Sequence, residues 1–401
     1  MSGFPAQLVR PDLHGFTGYS SARTSAPGAP TAVPRIWLNA NESGDPSGVD
    51  PDGACRRYPD PQPADLVAAF ADHWATTPDR VVVGRGSDEL IELVVRSVCR
   101  PGGDGIVVAS PTFGMYAVSA RLHGVPVHDV PQTDDGLTWR VDTEAVAATA
   151  RATGSRAVFL ASPGNPTGSV VPLREIAALA DELAGQAVVV VDEAYGEFAE
   201  QRSAVALLEE HPTVVVLRTL SKAHALAGAR VGIALAHPDL AAVLRRVQAP
   251  YPVPVPVAEL ALRALGAEAV AETDRRVGHA LRLRDEVGRW VRDLPGVRAV
   301  YASEGNFLLL RADDPDALLD TLGAAGIVVR DMRHLPGLED ALRITVGTAP
   351  EMAAVRDTLA PPDQPGQPAQ LARPTLPDQP TPHTPGTDPT PGTDPIQEST
   401  A

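Results

Sequence analysis

Lys222 is the residue whose neighbours most clearly indicate chemistry. It lies in the segment Thr219-Leu-Ser-Lys222, directly after the apolar run at 214–217, and Arg230 follows eight residues later. The hydroxyls of Thr219 and Ser221 and the guanidinium of Arg230 can together bind a phosphate dianion, with the arginine supplying a charge-assisted fork. A lysine amine beside such a site can form a Schiff base with a carbonyl compound and can then act as a base. Without these neighbours, a solvated lysine would be the simpler interpretation.

Polar side chains also follow two earlier apolar runs. Asp192 comes after four consecutive valines, where an unpaired carboxylate would be costly, and Tyr195 lies three residues further on. Asn165 lies in an Asn-Pro-Thr-Gly turn 27 residues before Asp192. An amine that forms a Schiff base, an anion for a ring nitrogen and hydrogen-bond partners for a ring oxygen are what pyridoxal 5'-phosphate needs. We therefore expect Lys222, Asp192 and Tyr195 to be catalytic, although an isolated Asp192 would suit a helix cap and an isolated Asn165 an ordinary turn.

Two further strand ends add groups that suit a phosphorylated ring. Gly86-Ser87-Asp88 opens an amphipathic helix after an apolar run, and the free N–H groups and dipole of a helix N-terminus favour a phosphate. The alternative is ordinary capping by Ser87, with two acids in the first turn. Phe113 follows another run and could stack on the ring, or it could be a core aromatic.

These motifs require a fold that brings several strand ends to one edge. Between about residues 80 and 236, apolar runs alternate with helix-like segments such as 173–183, which has one apolar face. This alternation predicts an α/β fold with a mostly parallel sheet whose strands are covered on both faces. Ligands of such sheets bind beyond the carboxyl ends of the strands, where every motif above lies. The predicted strands are 81–83, 106–109, 157–160, 188–191, 214–217 and 231–235.

Composition divides the chain into four parts. We expect an N-terminal arm at 1–38, a large cofactor-binding domain at 39–250, a smaller C-terminal α/β domain at 251–360 and a tail at 361–401. Four prolines alternate through 249–256, which breaks regular structure and connects the two domains. The smaller domain is predicted to hold a helical stretch at 257–293 and strands at 307–310, 327–330 and 342–346. The tail carries 12 of the 40 prolines and is expected to be disordered, because it cannot bury enough apolar surface.

Charge and composition restrict the partners. The formal net charge of −16 predicts no binding to nucleic acid or anionic lipid, so locally placed arginines must capture an anionic substrate. No apolar run is long enough for a membrane span, and the N-terminus lacks the features of a secretory signal, so we expect a cytoplasmic protein. Cys55 and Cys99 fit no disulfide scaffold, and the ten histidines show no metal-ligand spacing, so no metal site is expected.

The chain resembles the fold-type-I pyridoxal-phosphate aminotransferases, and most closely the histidinol-phosphate aminotransferase family within them. The resemblance runs from about Leu13 to Leu359, and its lysine, Asp-x-x-Tyr and Asn-Pro-x-Gly set is specific for the superfamily. The chain departs from the narrower family at His224, where an aromatic is usual, and at 41–46. The markers are Leu38-Asn-Ala-Asn-Glu42, Arg57-Tyr58-Pro-Asp60, Gly86-Ser-Asp88, Pro111-Thr-Phe-Gly-Met-Tyr116, Asn165-Pro-Thr-Gly168, Asp192-Glu-Ala-Tyr195, Thr219-Leu-Ser-Lys-Ala223 and Leu342-Arg-Ile-Thr-Val-Gly347.

The resemblance implies a homodimer with two active sites at the subunit interface. Tyr58 would reach the cofactor phosphate of the other subunit, and Arg343 would hold the anionic end of the substrate, with Arg330, Tyr19 and Asn41 nearby. One arginine fork can serve both a carboxylate and a phosphate ester. Strand alternation puts Arg343 opposite the apolar side chains of 342–346, towards either solvent or the cleft. The expected cofactor-binding residues are Gly86, Ser87, Asp88, Phe113, Asn165, Asp192, Tyr195, Thr219, Ser221, Lys222, Arg230 and Tyr58.

The activity that the resemblance implies is amino-group transfer from L-glutamate to imidazole-acetol phosphate, giving L-histidinol phosphate and 2-oxoglutarate in histidine biosynthesis. The nearest alternative is an aminotransferase for an aromatic amino acid or a specialised-metabolism substrate. A second alternative is a pyridoxal-phosphate decarboxylase for a phospho-amino acid, which shares this scaffold. A non-enzymatic sensor fused to a DNA-binding module is disfavoured, because no basic helix-turn-helix segment precedes the domain and the net charge is negative.

Overall fold

The computed structural model describes residues 3–19 and 36–360, so the predicted tail at 361–401 lies outside the described residues. The described chain has an α/β fold with two main sheets and one short hairpin, as the sequence predicts. The strands are β1 (Val81–Gly84), β2 (Ile106–Val108), β3 (Val127–Asp129), β4 (Thr133–Asp134), β5 (Trp139–Arg140), β6 (Ala157–Ala161), β7 (Val188–Asp192), β8 (Val214–Thr219), β9 (Gly232–Leu235), β10 (Val297–Val300), β11 (Phe307–Ala312), β12 (Arg330–Asp331) and β13 (Ala341–Thr345).

The α-helices begin and end at local sequence signals. They are α1 (Ala64–His73), α2 (Gly86–Val98), α3 (Met115–Leu122), α4 (Thr143–Thr153), α5 (Leu173–Glu182), α6 (Pro238–Val247), α7 (Val255–Ala264), α8 (Ala267–Arg292), α9 (Pro315–Ala324) and α10 (Ala349–Leu359). The Asp142 carboxylate caps α4, and Gly154 ends it in the left-handed conformation. The stretch predicted as one helix at 257–293 is two helices, because the chain leaves the helical conformation at Gly266, whose φ is −66° and ψ is 149°.

The larger sheet has seven strands in the order β1-β9-β8-β7-β6-β2-β3. The pairs from β3 to β8 are parallel, and β9 alone runs antiparallel to its neighbours β1 and β8. Alternate valines of β7 belong to different hydrophobic clusters, with Val189 and Val191 on one face and Val188 and Val190 on the other. The sheet is therefore covered on both faces, and β1, β2, β6, β7 and β8 end at the same edge.

The smaller sheet is antiparallel, in the order β10-β11-β13-β12. Leu308 and Leu342 lie on the face that packs against α8, α9 and α10. The strand predicted at 327–330 is wrong in extent, because only Arg330 and Asp331 pair with β13. Side chains at 327–329 alternate as in a strand, with Val328 94% exposed, but none of the strands in the described part of the chain pairs with them.

Two segments outside the predicted large domain pack against its helices. Phe4 and Leu8 are buried in a cluster with apolar residues of α2 and α6. Helix α7 begins at Val255, inside the predicted proline-rich break, and packs against α1. The domain boundaries themselves stay predictions. Among the described residues, no helix combines the length and apolar character needed to cross a membrane.

Candidate active site

A cleft of about 620 Å³ opens where the parallel strands of the large sheet end. All predicted catalytic residues line it, as do all predicted cofactor-binding residues except Gly86 and Tyr58. Five strand ends therefore contribute to one site. The lining residues are Ser87, Asp88, Phe113, Tyr116, Ala161, Pro163, Asn165, Asp192, Ala194, Tyr195, Thr219, Ser221, Lys222, Ala227 and Arg230.

Lys222 presents its amine to this cleft from the turn after β8. Its Nζ lies 5.5 Å from the centroid of the Tyr195 ring. Partial burial, helped by the positive charges of Arg343 and Arg230, lowers the pKa of Lys222, although nearby carboxylates oppose the shift. A lower pKa increases the neutral fraction of the amine near neutral pH, which is the form that acts as a nucleophile or base.

The Asp192 carboxylate is buried at the end of β7. Its Oδ2 accepts a 2.8 Å hydrogen bond from the Tyr116 hydroxyl, and its Oδ1 accepts one of 3.1 Å from the Ala194 backbone N–H. Burial raises the pKa of Asp192 to about 6, although these two hydrogen bonds act in the opposite direction. A cation placed against this carboxylate would favour its ionised form. The site therefore suits a positively charged partner.

Tyr116 is a site residue that the sequence-based prediction omitted. It lies three residues after Phe113 in the same strand-end motif, and the two rings meet edge to face with centroids 5.7 Å apart. Tyr116 also stacks on Phe159 at 5.0 Å, so its ring is fixed on two sides. Its chemistry could have indicated it, because the hydroxyl of a tyrosine buried near a strand end needs a hydrogen-bond partner.

Hydroxyl and guanidinium groups gather between the end of β8 and the N-terminus of α2. Arg230 Nη2 donates to Asp88 Oδ2 at 3.0 Å, and Arg230 Nη1 lies 3.4 Å from the Ser221 hydroxyl. Thr219 Oγ1 accepts a 3.1 Å hydrogen bond from the Ser221 N–H, which closes the turn before Lys222. A guanidinium, hydroxyls and a helix N-terminus in one place are suited to a phosphate dianion.

Two glycines permit this close approach of α2 to the sheet. A Cβ on Gly232 in β9 would lie 2.6 Å from the carbonyl carbon of Gly86, and a Cβ on Gly86 would lie 2.7 Å from Arg230 Nη2. Gly86 also has a φ of +77°, a backbone conformation that residues with a side chain rarely adopt. Gly86 therefore contributes to the site through its lack of a side chain and does not line the cleft.

Arg343 lies beside the cleft and contacts one of its lining residues, so it points towards the cleft side that strand alternation left open and not to bulk solvent. Its Nη1 donates to Asn165 Oδ1, and its guanidinium carbon lies 5.3 Å from the centroid of the Phe307 ring. Its Nε is buried and has no hydrogen-bond partner within the described residues. Burial lowers the pKa of Arg343, and the charge of Arg330 lowers it further. A guanidinium with N–H capacity to spare is suited to binding an anion.

Four predicted residues lie away from the cleft. Tyr58 stacks on Tyr251 with centroids 4.8 Å apart, and Asn41 and Tyr58 line a separate depression beside 254–256. Tyr19 is 66% exposed and does not line the cleft. Arg330 is exposed on β12, where it is the register partner of Arg343. The residues that the resemblance connects to the dimer or the substrate are thus mostly outside the cleft of this one chain.

The family model described as aminotransferase class I and II matches residues 27–359 of the chain. A histidinol-phosphate aminotransferase of Xanthomonas euvesicatoria pv. vesicatoria is 52% identical over 341 residues, which are 85% of this chain and 93% of that protein. A protein of the same name from Stenotrophomonas maltophilia is also 52% identical, over 346 residues that are 86% of this chain and 93% of that protein.

Solved structures show the same architecture. Histidinol-phosphate aminotransferase from Sinorhizobium meliloti, in complex with pyridoxal-5'-phosphate, is similar with a TM-score of 0.69 and 28% identity, covering 80% of this chain and 88% of that chain. The L-threonine-O-3-phosphate decarboxylase from Porphyromonas gingivalis has a TM-score of 0.63 at 21% identity, covering 77% of this chain and 90% of that chain. At that identity the likeness to the decarboxylase concerns the fold alone.

Proposed function

The chain belongs to the aminotransferase class I and II family, and from that premise we propose that it transfers the amino group of L-glutamate to imidazole-acetol phosphate. The products are L-histidinol phosphate and 2-oxoglutarate, so the enzyme is a pyridoxal-phosphate-dependent histidinol-phosphate aminotransferase of histidine biosynthesis. Relatives that are about 50% identical over most of the chain carry that name. The observation that carries the proposal is Arg343, an under-partnered guanidinium that Asn165 connects to the cleft of Lys222.

The residues of the cleft fit pyridoxal 5'-phosphate. When bound, this cofactor withdraws electrons from the substrate Cα, which makes the Cα proton removable. We assign Lys222 Nζ as the group that would attach to the cofactor and that, once the amine of the substrate displaces it, would move the proton at the substrate Cα. Its lowered pKa supports both roles, because each requires a neutral amine.

The remaining polar residues hold and orient the ring. Asp192 is assigned as the counter-charge to the ring nitrogen, with Tyr116 and the Ala194 N–H fixing the direction of its carboxylate. Tyr195 keeps its proton because burial raises its pKa, so its hydroxyl can donate to the ring oxygen together with the Asn165 amide. Phe113 would pack against the ring, and the edge-to-face contact with Tyr116 holds the Phe113 side chain in place.

The cofactor phosphate is assigned to the group of hydroxyls beside α2. Ser87, Ser221 and Arg230 would bind it directly, together with the free N–H groups at the N-terminus of α2. Thr219 and Asp88 would orient these phosphate-binding residues. Thr219 accepts the hydrogen bond that closes the turn at Ser221, and Asp88 accepts one from Arg230.

Arg343 is assigned to the anionic end of both substrates. Glutamate offers a carboxylate where histidinol phosphate offers a phosphate ester, and one guanidinium fork binds either group. Asn165 holds one arm of the fork, and Arg330 adds positive charge from the neighbouring strand. A single anion site serves a two-step transfer in which the two substrates bind in turn.

We also propose a homodimer in which Tyr58 serves the cleft of the other subunit. The support is that Tyr58 and Asn41 lie outside the cleft of their own chain. Mixed dimers of Lys222→Ala and Tyr58→Ala chains test this arrangement, because one intact site forms only when Tyr58 acts across the interface. Activity restored on mixing supports the proposal, and no restoration contradicts it. The cytoplasmic location stays a prediction.

The substrate assignment is tested by comparing amino donors with 2-oxoglutarate as acceptor. We expect kcat/KM for L-histidinol phosphate to exceed that for L-phenylalanine by about tenfold or more, because a phosphate dianion offers Arg343 more negative charge and more acceptor oxygens than a carboxylate does. Equal values would indicate the aromatic aminotransferase instead. Release of carbon dioxide from a phospho-amino acid without any keto acid would indicate the decarboxylase.

A further inference from the structure

We propose that Arg311 is a positioning residue that holds Arg343 at the cleft. The inference rests on the proposed function, in which Arg343 binds the substrate anion. Arg311 does not line the cleft and does not contact Arg343. Arg311 would influence Arg343 indirectly, by connecting the smaller sheet to the hairpin of β4 and β5. This hairpin spans residues 133–140 and is called the 133–140 hairpin below.

The smaller sheet turns one face towards the large sheet, and Arg343 lies on that face. Phe307, Leu309 and Arg311 alternate along β11, so they share a face, and Leu309 is the register partner of Arg343. At one end of this face, Phe307 packs edge to face on Tyr195, with centroids 5.1 Å apart. Arg311 lies at the other end of this face, two residues beyond Leu309 on β11.

Arg311 attaches this face to the 133–140 hairpin. Its Nη2 lies 3.0 Å from Asp134 Oδ2 and 2.6 Å from the Gly337 carbonyl, and its Nε donates to the Tyr301 hydroxyl at 2.6 Å. The Tyr301 hydroxyl in turn donates to Asp134 Oδ2 at 2.6 Å. The Asp134 and Arg311 side chains are only 25% and 20% exposed, so water weakens this pair less than it weakens a surface pair.

Apolar contacts reinforce the same attachment. Trp139 of the hairpin is buried against Tyr301, Leu309 and Ala341, the last of which is two residues before Arg343 on β13. The hairpin thus contacts both strands that determine the position of Arg343.

The hairpin also contacts the loop that carries Asn165, the partner of Arg343. The backbone N–H of Trp139 donates to Ser169 Oγ at 3.1 Å, and the backbone N–H of Ala302 donates to the Leu137 carbonyl at 2.9 Å. Gly168 lies so close to Ser303 that a Cβ on it would be 2.5 Å from the serine Oγ. The two groups that meet at the anion site, Asn165 and Arg343, are therefore both held against one hairpin, and Arg311 is its polar attachment to β11.

The test compares Arg311→Met, Arg311→Lys and Asp134→Asn with the wild-type holoenzyme. Glutarate is the probe, because it has the two carboxylates of glutamate but no amino group to react, and its Kd is measured by calorimetry. We expect Arg311→Met and Asp134→Asn to raise this Kd and the KM values of both substrates by about 2- to 30-fold, with little change in kcat. Arg311→Lys should recover part of the loss. The Kd of pyridoxal 5'-phosphate should not change, because the cofactor residues lie on the large sheet.

Asp316→Asn is the matched control, since it removes one aspartate from an arginine pair, Arg333–Asp316, that does not involve the hairpin. It should leave the glutarate Kd at the wild-type value. Asp134→Asn keeps the size of the side chain and carries the test if Arg311→Met does not fold. Variants with a lower Tm but a wild-type glutarate Kd would show a merely stabilising ion pair and overturn the proposal. Wild-type turnover of L-histidinol phosphate with 2-oxoglutarate tests the proposed function separately, so the two failures can be told apart.

Discussion

Tyr116 and Asp192 form a buried pair in which the tyrosine hydroxyl donates a 2.8 Å hydrogen bond to the carboxylate. The two residues come from different strand ends, 76 positions apart in the chain. The hydrogen bond favours the ionised carboxylate and opposes the effect of burial on the pKa of Asp192. Tyr116 thereby keeps Asp192 closer to the charge state that a cationic ring nitrogen requires.

Tyr116→Phe should weaken cofactor binding. A hydrogen bond to a charged group contributes about 1.5 kcal/mol or more, so we expect the Kd of pyridoxal 5'-phosphate to rise roughly tenfold. The measurement is titration of the cofactor-free protein with pyridoxal 5'-phosphate. In an Asp192→Asn background the same substitution should have a much smaller effect, since the carboxylate that it acts on is gone. A wild-type Kd for the Tyr116→Phe single variant would contradict the assigned role.

Asp192→Asn should stabilise the cofactor-free protein while it impairs catalysis. The folded protein raises the pKa of Asp192 from 3.8 to about 6. An acid with a raised pKa in the folded state lowers stability as pH rises from below 4 to above 6, because only the unfolded chain ionises freely over that range. The variant should therefore be more stable above pH 6 by about 1 to 3 kcal/mol, with the difference vanishing towards pH 4. Urea unfolding from pH 4 to 8 measures both curves, and a difference that does not depend on pH would contradict the explanation.

The sequence was sufficient to predict that these residues meet in one cleft, because strand ends are local features. Lys222, Asp192 and Asn165 each follow an apolar run, and parallel strands necessarily bring such positions to one edge. The order of strands did not have to be known for this. Helix α2 and its glycine opening were predictable for the same reason, since their signals lie within a few residues of one another.

The omitted features depend on contacts between distant segments. Nothing near Tyr116 in the sequence indicates that its hydroxyl meets Asp192, and the 133–140 hairpin has two-residue strands that are too short to show a periodicity. Strand alternation predicts on which face of the smaller sheet Arg343 lies. It does not predict which groups Arg343 contacts, because that depends on how the smaller sheet packs against the loop of Asn165. The sequence around Val328 has the pattern of a strand, but within residues 3–19 and 36–360 no strand pairs with 327–329.

Lys222→Ala should remove the chemistry and leave the fold intact. The side chain is exposed to the cleft and belongs to none of the hydrophobic clusters of the described chain, so unfolding by urea should change little. We expect turnover to fall by several orders of magnitude and the long-wavelength absorbance of the attached cofactor to disappear. Retention of that absorbance band would overturn the assignment of Lys222.

Arg343→Ala should weaken the binding of both substrates to a similar extent. Loss of a bidentate contact to a charged group removes about 1.5 to 3 kcal/mol, so KM for glutamate and for histidinol phosphate should each rise about 10- to 150-fold. Arg343→Lys should recover little, because an ammonium lacks the planar fork. Arg275→Ala is the control, since it removes the same charge from an exposed pair on α8. A change in KM for one substrate only would contradict a shared anion site.

Gly232→Ala tests the close contact between β9 and the N-terminus of α2. The added methyl group would lie 2.6 Å from the backbone of Gly86, and backbone cannot move aside as a flexible side chain can. Overpacking of this kind costs about 1 to 3 kcal/mol of stability. The displacement of α2 should also weaken pyridoxal 5'-phosphate binding, because its N-terminus forms part of the phosphate site. Gly228→Ala is the matched control, since its new Cβ would have no neighbour within 4 Å, and it should retain wild-type stability and affinity. If Gly232→Ala behaved like that control in urea unfolding and cofactor titration, the contact would have no role in shaping the site.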